Sequence, residues 1–283
     1  VSATVTSLTA GTGGIALNAG VTTNGNTLTL MASRDITVSA NISGAAGKSL
    51  NTYFYANTDN LGAGGYTQSA AISTFGGHVI VGGGSKDTTA GCAALYNCIA
   101  GYANGDTNGV GGVSLTGSIN AGGGNITLSG LGSMTNTTNG DGIRLTGTGG
   151  SALTTSGTGT LTLNGVSTGG FNGIRIVSAN LVAGTGLITL TGTSNSTNSY
   201  SGSRLEGSSS ITSTGALSIS GTSGSTSLAG TTLKRKLTTP SARLSLPKNP
   251  ARAVRKIRNG KTENTVRKAM LPASGIASSA NSR

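Results

Sequence analysis

This sequence predicts an all-β fold, a parallel β-solenoid followed by a basic tail, on three observations. An apolar, polar, apolar triplet recurs among glycines as Ile126-Thr127-Leu128, Leu161-Thr162-Leu163, Ile188-Thr189-Leu190 and Leu217-Ser218-Ile219. A second phrase alternates with it: Gly142-Ile143-Arg144-Leu145, Gly173-Ile174-Arg175-Ile176 and Gly202-Ser203-Arg204-Leu205. Aromatic residues make up only 3% of the chain, with no Trp, whereas sandwiches and propellers usually anchor their cores on large rings.

The spacing sets the unit. Leu128, Leu163, Leu190 and Ile219 stand 35, 27 and 29 residues apart, and Arg144, Arg175 and Arg204 stand 31 and 29 apart. Each triplet puts two aliphatic side chains on one face and a hydroxyl on the other, which is the period of a half-buried strand. A unit of about 30 residues buries such a face only by stacking on a like unit, so Ile and Leu should form interior ladders.

From the N-terminus, strands are expected at Gly14-Ile15-Ala16-Leu17, Leu28-Thr29-Leu30, Ile36-Thr37-Val38, 77–82 (around His78) and Val113-Ser114-Leu115. Tyr53, Phe54, Tyr55 and Tyr66 concentrate in residues 51–70, where a protruding loop or flap is expected, and residues 85–110 form a second interruption. Cys92 and Cys98 lie in that second segment. A disulfide closing a small loop fits an exported protein, and two unpaired thiols fit the same spacing. The chain starts without Met and in mid-pattern, as a piece of a longer polypeptide would.

Composition divides the chain into a solenoid domain, 1–230, and a tail, 231–283. The body carries six basic residues (Arg34, Lys48, Lys86, Arg144, Arg175, Arg204) and six acidic ones (Asp35, Asp59, Asp87, Asp106, Asp141, Glu206), so the net charge of +12 belongs to the tail. All four prolines also lie there, and the glycine-rich repeat is expected to stop at the boundary. The tail reads as largely disordered or partly helical, with a helix after Asn249-Pro250 ending near Gly260 and another from Thr262 to Met270. A neutral body argues against a specific nucleic-acid site, although the tail is suited to attachment to an anionic partner. No apolar run reaches the roughly 18 residues of a membrane span.

Catalytic, metal-binding and cofactor patterns are not found. The single histidine, His78, supports neither a Ser/His/Asp triad nor, with two cysteines, a tetrahedral zinc site. Asp106 and Asp141 are the acidic pair on which a β-helical polysaccharide-processing enzyme would depend, while Asn139-Gly140-Asp141-Gly142 also reads simply as a turn. Arg144, Arg175 and Arg204 are the candidate binding residues. Strands stacked in register would line up three guanidinium groups as a stripe for anionic glycan, and arginines that merely solvate an outer face would give the same spacing. Thr27-Leu28-Thr29 and Thr160-Leu161-Thr162 are too few for an ice-binding lattice.

The stretches Gly-Thr-Gly-Thr-Leu-Thr-Leu-Asn-Gly (157–165), Gly-Thr-Gly-Leu-Ile-Thr-Leu-Thr-Gly (184–192) and the segment from Phe75 to Gly84 resemble the repeat regions of large bacterial exoproteins of the filamentous haemagglutinin type. The resemblance covers residues 1–230. It implies a right-handed parallel β-helix, export through an outer-membrane secretion partner, and a stalk at the cell surface or in the secreted fraction. It also implies a role in adhesion to a host or neighbouring-cell glycan or protein, without catalysis and without a cofactor. No family binding residue transfers to this sequence.

Overall fold

The computed structural model describes residues 6–10, 13–58, 64–83, 103–105, 111–132, 140–147, 151–196, 200–224, 231–233, 237–238, 242–244, 257–258 and 261–262. They form a parallel β-solenoid with three strands per coil, each strand joining a different sheet. No helix occurs among the described residues, so none is long and apolar enough to cross a membrane.

Sheet A stacks Thr6–Ala10, Asn26–Ala32, Leu50–Ala56, Val79–Gly83, Ile126–Gly132, Leu161–Ser167, Ile188–Ser194, Leu217–Ser223 and Ala242–Leu244 in that order. Sheet B stacks Ile15–Leu17, Ile36–Val38, Tyr66–Gln68, Val113–Leu115, Ile143–Thr146, Ile174–Val177, Ser203–Glu206 and Thr231–Leu233. Sheet C runs from Val21–Thr23 through Ile42–Gly44, Ile72–Ser73, Ile119–Asn120, Ser151–Thr154, Asn180–Ala183 and Ser210–Ser213 to Leu237–Thr238. Nine of the ten strands of sheet A follow one another in this stack, and eight steps of about 4.8 Å give it a length of about 38 Å; the tenth, Ala103–Asn104, pairs with the far end of Ile126–Gly132.

The repeated triplets are sheet A. Ile126, Leu161, Ile188 and Leu217 pair in one column and Leu128, Leu163, Leu190 and Ile219 in another, all buried. The second phrase is sheet B, where Ile143 pairs with Ile174 and Leu145 with Ile176 in the same core. Sheet C is the strand that the sequence does not announce. It contributes one large core aliphatic per coil, as with Leu153, Leu181 and Ile211, beside mostly Ser, Thr and Asn, although Asn180–Ala183 also carries Val182 and the buried Ala183.

The corner between sheets A and B is closed by glycine on both sides. Gly130, Gly165, Gly192 and Gly221 form one column of sheet A, and Gly142, Gly173 and Gly202 precede the strands of sheet B. A Cβ on Gly165 would lie 2.1 Å from Gly173 O, and one on Gly192 would lie 2.0 Å from Gly202 O. The two backbones approach more closely than any side chain permits. At the end of each sheet A strand, buried Ser167, Ser194 and Ser223 donate to the carbonyls of Gly140, Phe171 and Tyr200 in the preceding coil.

Three expectations change. Tyr53, Phe54 and Tyr55 do not form a flap: they lie in the sheet A strand Leu50–Ala56, and Tyr66 opens a sheet B strand. Phe54 and Tyr66 fill the core with ring centroids 5.3 Å apart, and the Tyr66 hydroxyl donates to Gln68 Oε1 at 3.0 Å. The stack also passes residue 230. Leu233 pairs with Leu205, Leu237 with Ile211 and Leu244 with Ile219, so the apolar positions continue after the glycines cease. Finally, Ile257–Arg258 and Lys261–Thr262 pair antiparallel where a helix ending near Gly260 is expected. They bracket Asn259-Gly260, the sequence signal of a two-residue hairpin, which outweighs the helix-start reading of Asn249-Pro250.

Candidate functional site

Sheet B carries the site. Arg144, Arg175 and Arg204 pair directly across three successive strands, and the inward Ile143, Leu145, Ile174, Ile176 and Leu205 hold those strands to the core. Alternation puts the arginines on the outer face. The same column holds Ala16, Thr37, Thr67 and Ser114 in the coils before and Thr232 in the coil after. The basic patch therefore occupies three coils of an otherwise small and mostly hydroxyl-bearing ladder.

The guanidinium groups are tied into a network. Glu206, two residues after Arg204, spans two coils: its Oε1 accepts from Arg175 Nε at 2.6 Å and its Oε2 lies 2.8 Å from Arg204 Nη2. Arg175 Nη1 is 3.9 Å from Asp141 Oδ2, and Arg144 Nε donates to Thr146 Oγ1 at 3.4 Å. Arg204 Nε is buried without a hydrogen-bond partner. Arg175 and Arg204 keep 29% and 27% of their side-chain surface exposed, so they remain within reach of an external ligand.

Asp141 stands at the entry to sheet B, in a column with Asn172 and Ser201. Its Oδ1 accepts from both the backbone N and the Nδ2 of Asn172 at 3.0 Å, and Asn172 Oδ1 accepts in turn from Ser201 N at 3.1 Å. The carboxyl is fully buried and its Oδ2 has no hydrogen-bond partner. Burial raises its pKa above the ordinary carboxylate value, and this outweighs the lowering effects of the Asn172 bonds and of Arg175 and Arg144. The segment expected to be a simple turn is instead a rung linking two coils.

A second ladder runs along the corner where chains enter sheet A. His78 stands one residue before its strand, its backbone N donates to Asn51 Oδ1 at 2.9 Å, and its Nδ1 accepts from Asn125 N at 3.1 Å. Asn125 Oδ1 then accepts from Thr160 N at 2.9 Å. The lone histidine thus does the work of an asparagine. Among the described residues no group of three His, Cys, Asp or Glu is placed to hold a metal ion.

Asp106, Cys92 and Cys98 lie outside the described residues. The structure brings the three arginines together, adds Asp141 and Glu206, and separates His78 from them by sheet. Compared with protein-family models, with curated proteins and with solved structures, the chain matches none of them.

Proposed function

We propose that the solenoid is a structural and adhesive stalk segment of a secreted or cell-surface bacterial exoprotein, exported with an outer-membrane secretion partner and carrying no catalytic centre. The observation that carries this reading is the long stack: three sheets run through successive coils, with one register shift between Ser151 and Leu153 in sheet C, and side-chain ladders such as Asp141–Asn172–Ser201 bond neighbouring coils. Such a body grows along one axis by stacking like units, which is what holding an adhesive region at a distance requires.

The test is direct. Beads coated with the full chain are incubated with epithelial cells, neighbouring bacteria and a panel of polysaccharides, and the supernatant is assayed for new reducing ends and unsaturated sugars. Retention on a surface without released product is the expected result. Release of either product overturns the reading and supports a polysaccharide-processing enzyme.

A further inference from the structure

The corner where chains pass from sheet C into sheet A is built on tight turns. Gly77 N donates to Thr74 O at 3.1 Å, Gly124 N to Ala121 O at 3.0 Å and Gly159 N to Ser156 O at 3.1 Å. The second residue of each turn is left-handed, with φ of 58° at Gly122, 55° at Gly157 and 50° at Phe75. Glycine takes that conformation freely, whereas a bulky side chain strains the backbone. Phe75 is nevertheless 47% exposed, so burying its ring offsets that strain only in part. A local rule broken in this way marks a place where something other than stability keeps the residue.

The same corner holds the other exposed apolar side chain. Among the described residues Phe75 and Leu187 are the exposed large hydrophobics. Leu187 stands one residue before its sheet A strand, in a column with His78, Asn125 and Thr160, which precede the paired Val79, Ile126 and Leu161. The polar members of this column have their inner atoms occupied: His78 Nδ1 accepts from Asn125 N, and Asn125 Oδ1 accepts from Thr160 N. His78 Nε2, Asn125 Nδ2 and Thr160 Oγ1 make no hydrogen bond among the described residues. A histidine that accepts at Nδ1 is neutral there, so the column offers N–H and O–H groups without charge.

We propose that this corner binds a neutral glycan chain laid along the solenoid axis. One sugar face stacks on Phe75, another packs against Leu187, and hydroxyl oxygens between them accept from His78 Nε2 and Asn125 Nδ2. The assignment gives the adhesive reading a ligand class and rests on it for its biological setting. A pyranose ring carries an apolar C–H face and a polar rim, which matches an aromatic ring beside a row of donors. From His78 to Leu187 is three coil steps, about 14 Å, enough for a short run of sugars. None of Phe75, His78, Asn125, Thr160 and Leu187 brings a charge in this arrangement, so a neutral polymer fits the corner better than an anionic one.

The experiment measures retention of the full chain on immobilised dextran, mannan and galactan, with a collagen film as the protein arm. These neutral polysaccharides offer no charge to the basic tail. Phe75→Tyr should bind like the wild type, and Phe75→Ala and Phe75→Gly should each bind about tenfold less. Phe75→Gly should also melt above Phe75→Ala, because both lack the ring and only alanine keeps the left-handed strain. Asn125→Asp keeps the Oδ1 that accepts from Thr160 N and loses the Nδ2 donor; it and Leu187→Ser should each weaken binding several-fold with no fall in melting temperature. A wild type retained on none of the three polysaccharides overturns the proposal, as does retention that both ring-deleting variants keep. Retention on collagen alone gives the corner to a protein partner and overturns the glycan assignment. Epithelial-cell retention that Phe75→Gly leaves intact removes this inference alone; a wild type that no surface retains removes the adhesive reading too.

Discussion

Gly165→Ala tests the closed corner between sheets A and B. The added methyl carbon would sit 2.1 Å from Gly173 O, 2.6 Å from Ile174 Cγ1 and 2.7 Å from Gly173 C. Optimal non-bonded separations are about 3.5–4.0 Å, so the neighbouring backbone must retreat by more than about 1 Å. Gly173 cannot do so independently, because its N–H donates to Ser201 O and its carbonyl accepts from Ile143 N. Overpacking costs about 1–3 kcal/mol and sometimes more, whereas replacing glycine by alanine recovers about 0.4–1 kcal/mol by restricting the unfolded chain. The expected net loss is about 1–2 kcal/mol. Gly123→Ala is the matched control, since its added methyl would meet nothing within 4 Å. Urea and thermal melts of the two variants beside the wild type decide the matter: Gly123→Ala should match or slightly exceed it, and Gly165→Ala should melt clearly lower. Equal midpoints for the two variants would refute the close-approach account.

Three further outcomes are expected. Burial pushes Tyr55 up to about 12 and Tyr66 well above its ordinary value, whereas an unfolded chain releases both protons near 10; stability should therefore fall as pH rises above about 10, with tyrosinate absorbance appearing together with unfolding. Asp141 has a raised native pKa, so the folded state binds its proton more readily than the unfolded one, and the Asp141 contribution should increase stability as pH falls from 7 toward about 4; paired melts of wild type and Asp141→Asn should show the variant lacking this increment. His78→Asn should leave the melting temperature within error, because an amide oxygen can replace Nδ1 as acceptor, while His78→Ala leaves Asn125 N unpartnered by a side chain and should cost about 1 kcal/mol at this half-buried corner.

Two sheets were legible because their strands bear two core aliphatics each, as in Leu161-Thr162-Leu163 and Ile143-Arg144-Leu145. Sheet C strands bear one large core aliphatic each, Leu153 and Ile211 among hydroxyls and Leu181 in the run Leu181-Val182-Ala183, so none shows the apolar, polar, apolar order of the other two sheets. Glycine loss near residue 231 suggested an end to the stack because glycine marks corners, yet Leu233, Leu237 and Leu244 keep the register that the core reads. The arginine row was visible as a spacing. Its partner Asp141 was not, because burial there depends on Asn172 and Arg175, contributed by a strand about 30 residues later.

Neighbouring strands are almost always one coil apart in sequence, which fixes the size of the loop that each new pairing must close. Lengthening such a rod adds pairings of the same modest separation, so the folding barrier per coil need not grow with total length. Insertions are mild for the same reason. Val79 pairs with Ile126, 47 residues later, where other coils span about 30; closing that larger loop adds only about 0.4 kcal/mol from the logarithmic growth of closure entropy. Evolution can therefore lengthen one turn of this body considerably while the turns on either side continue to template one another.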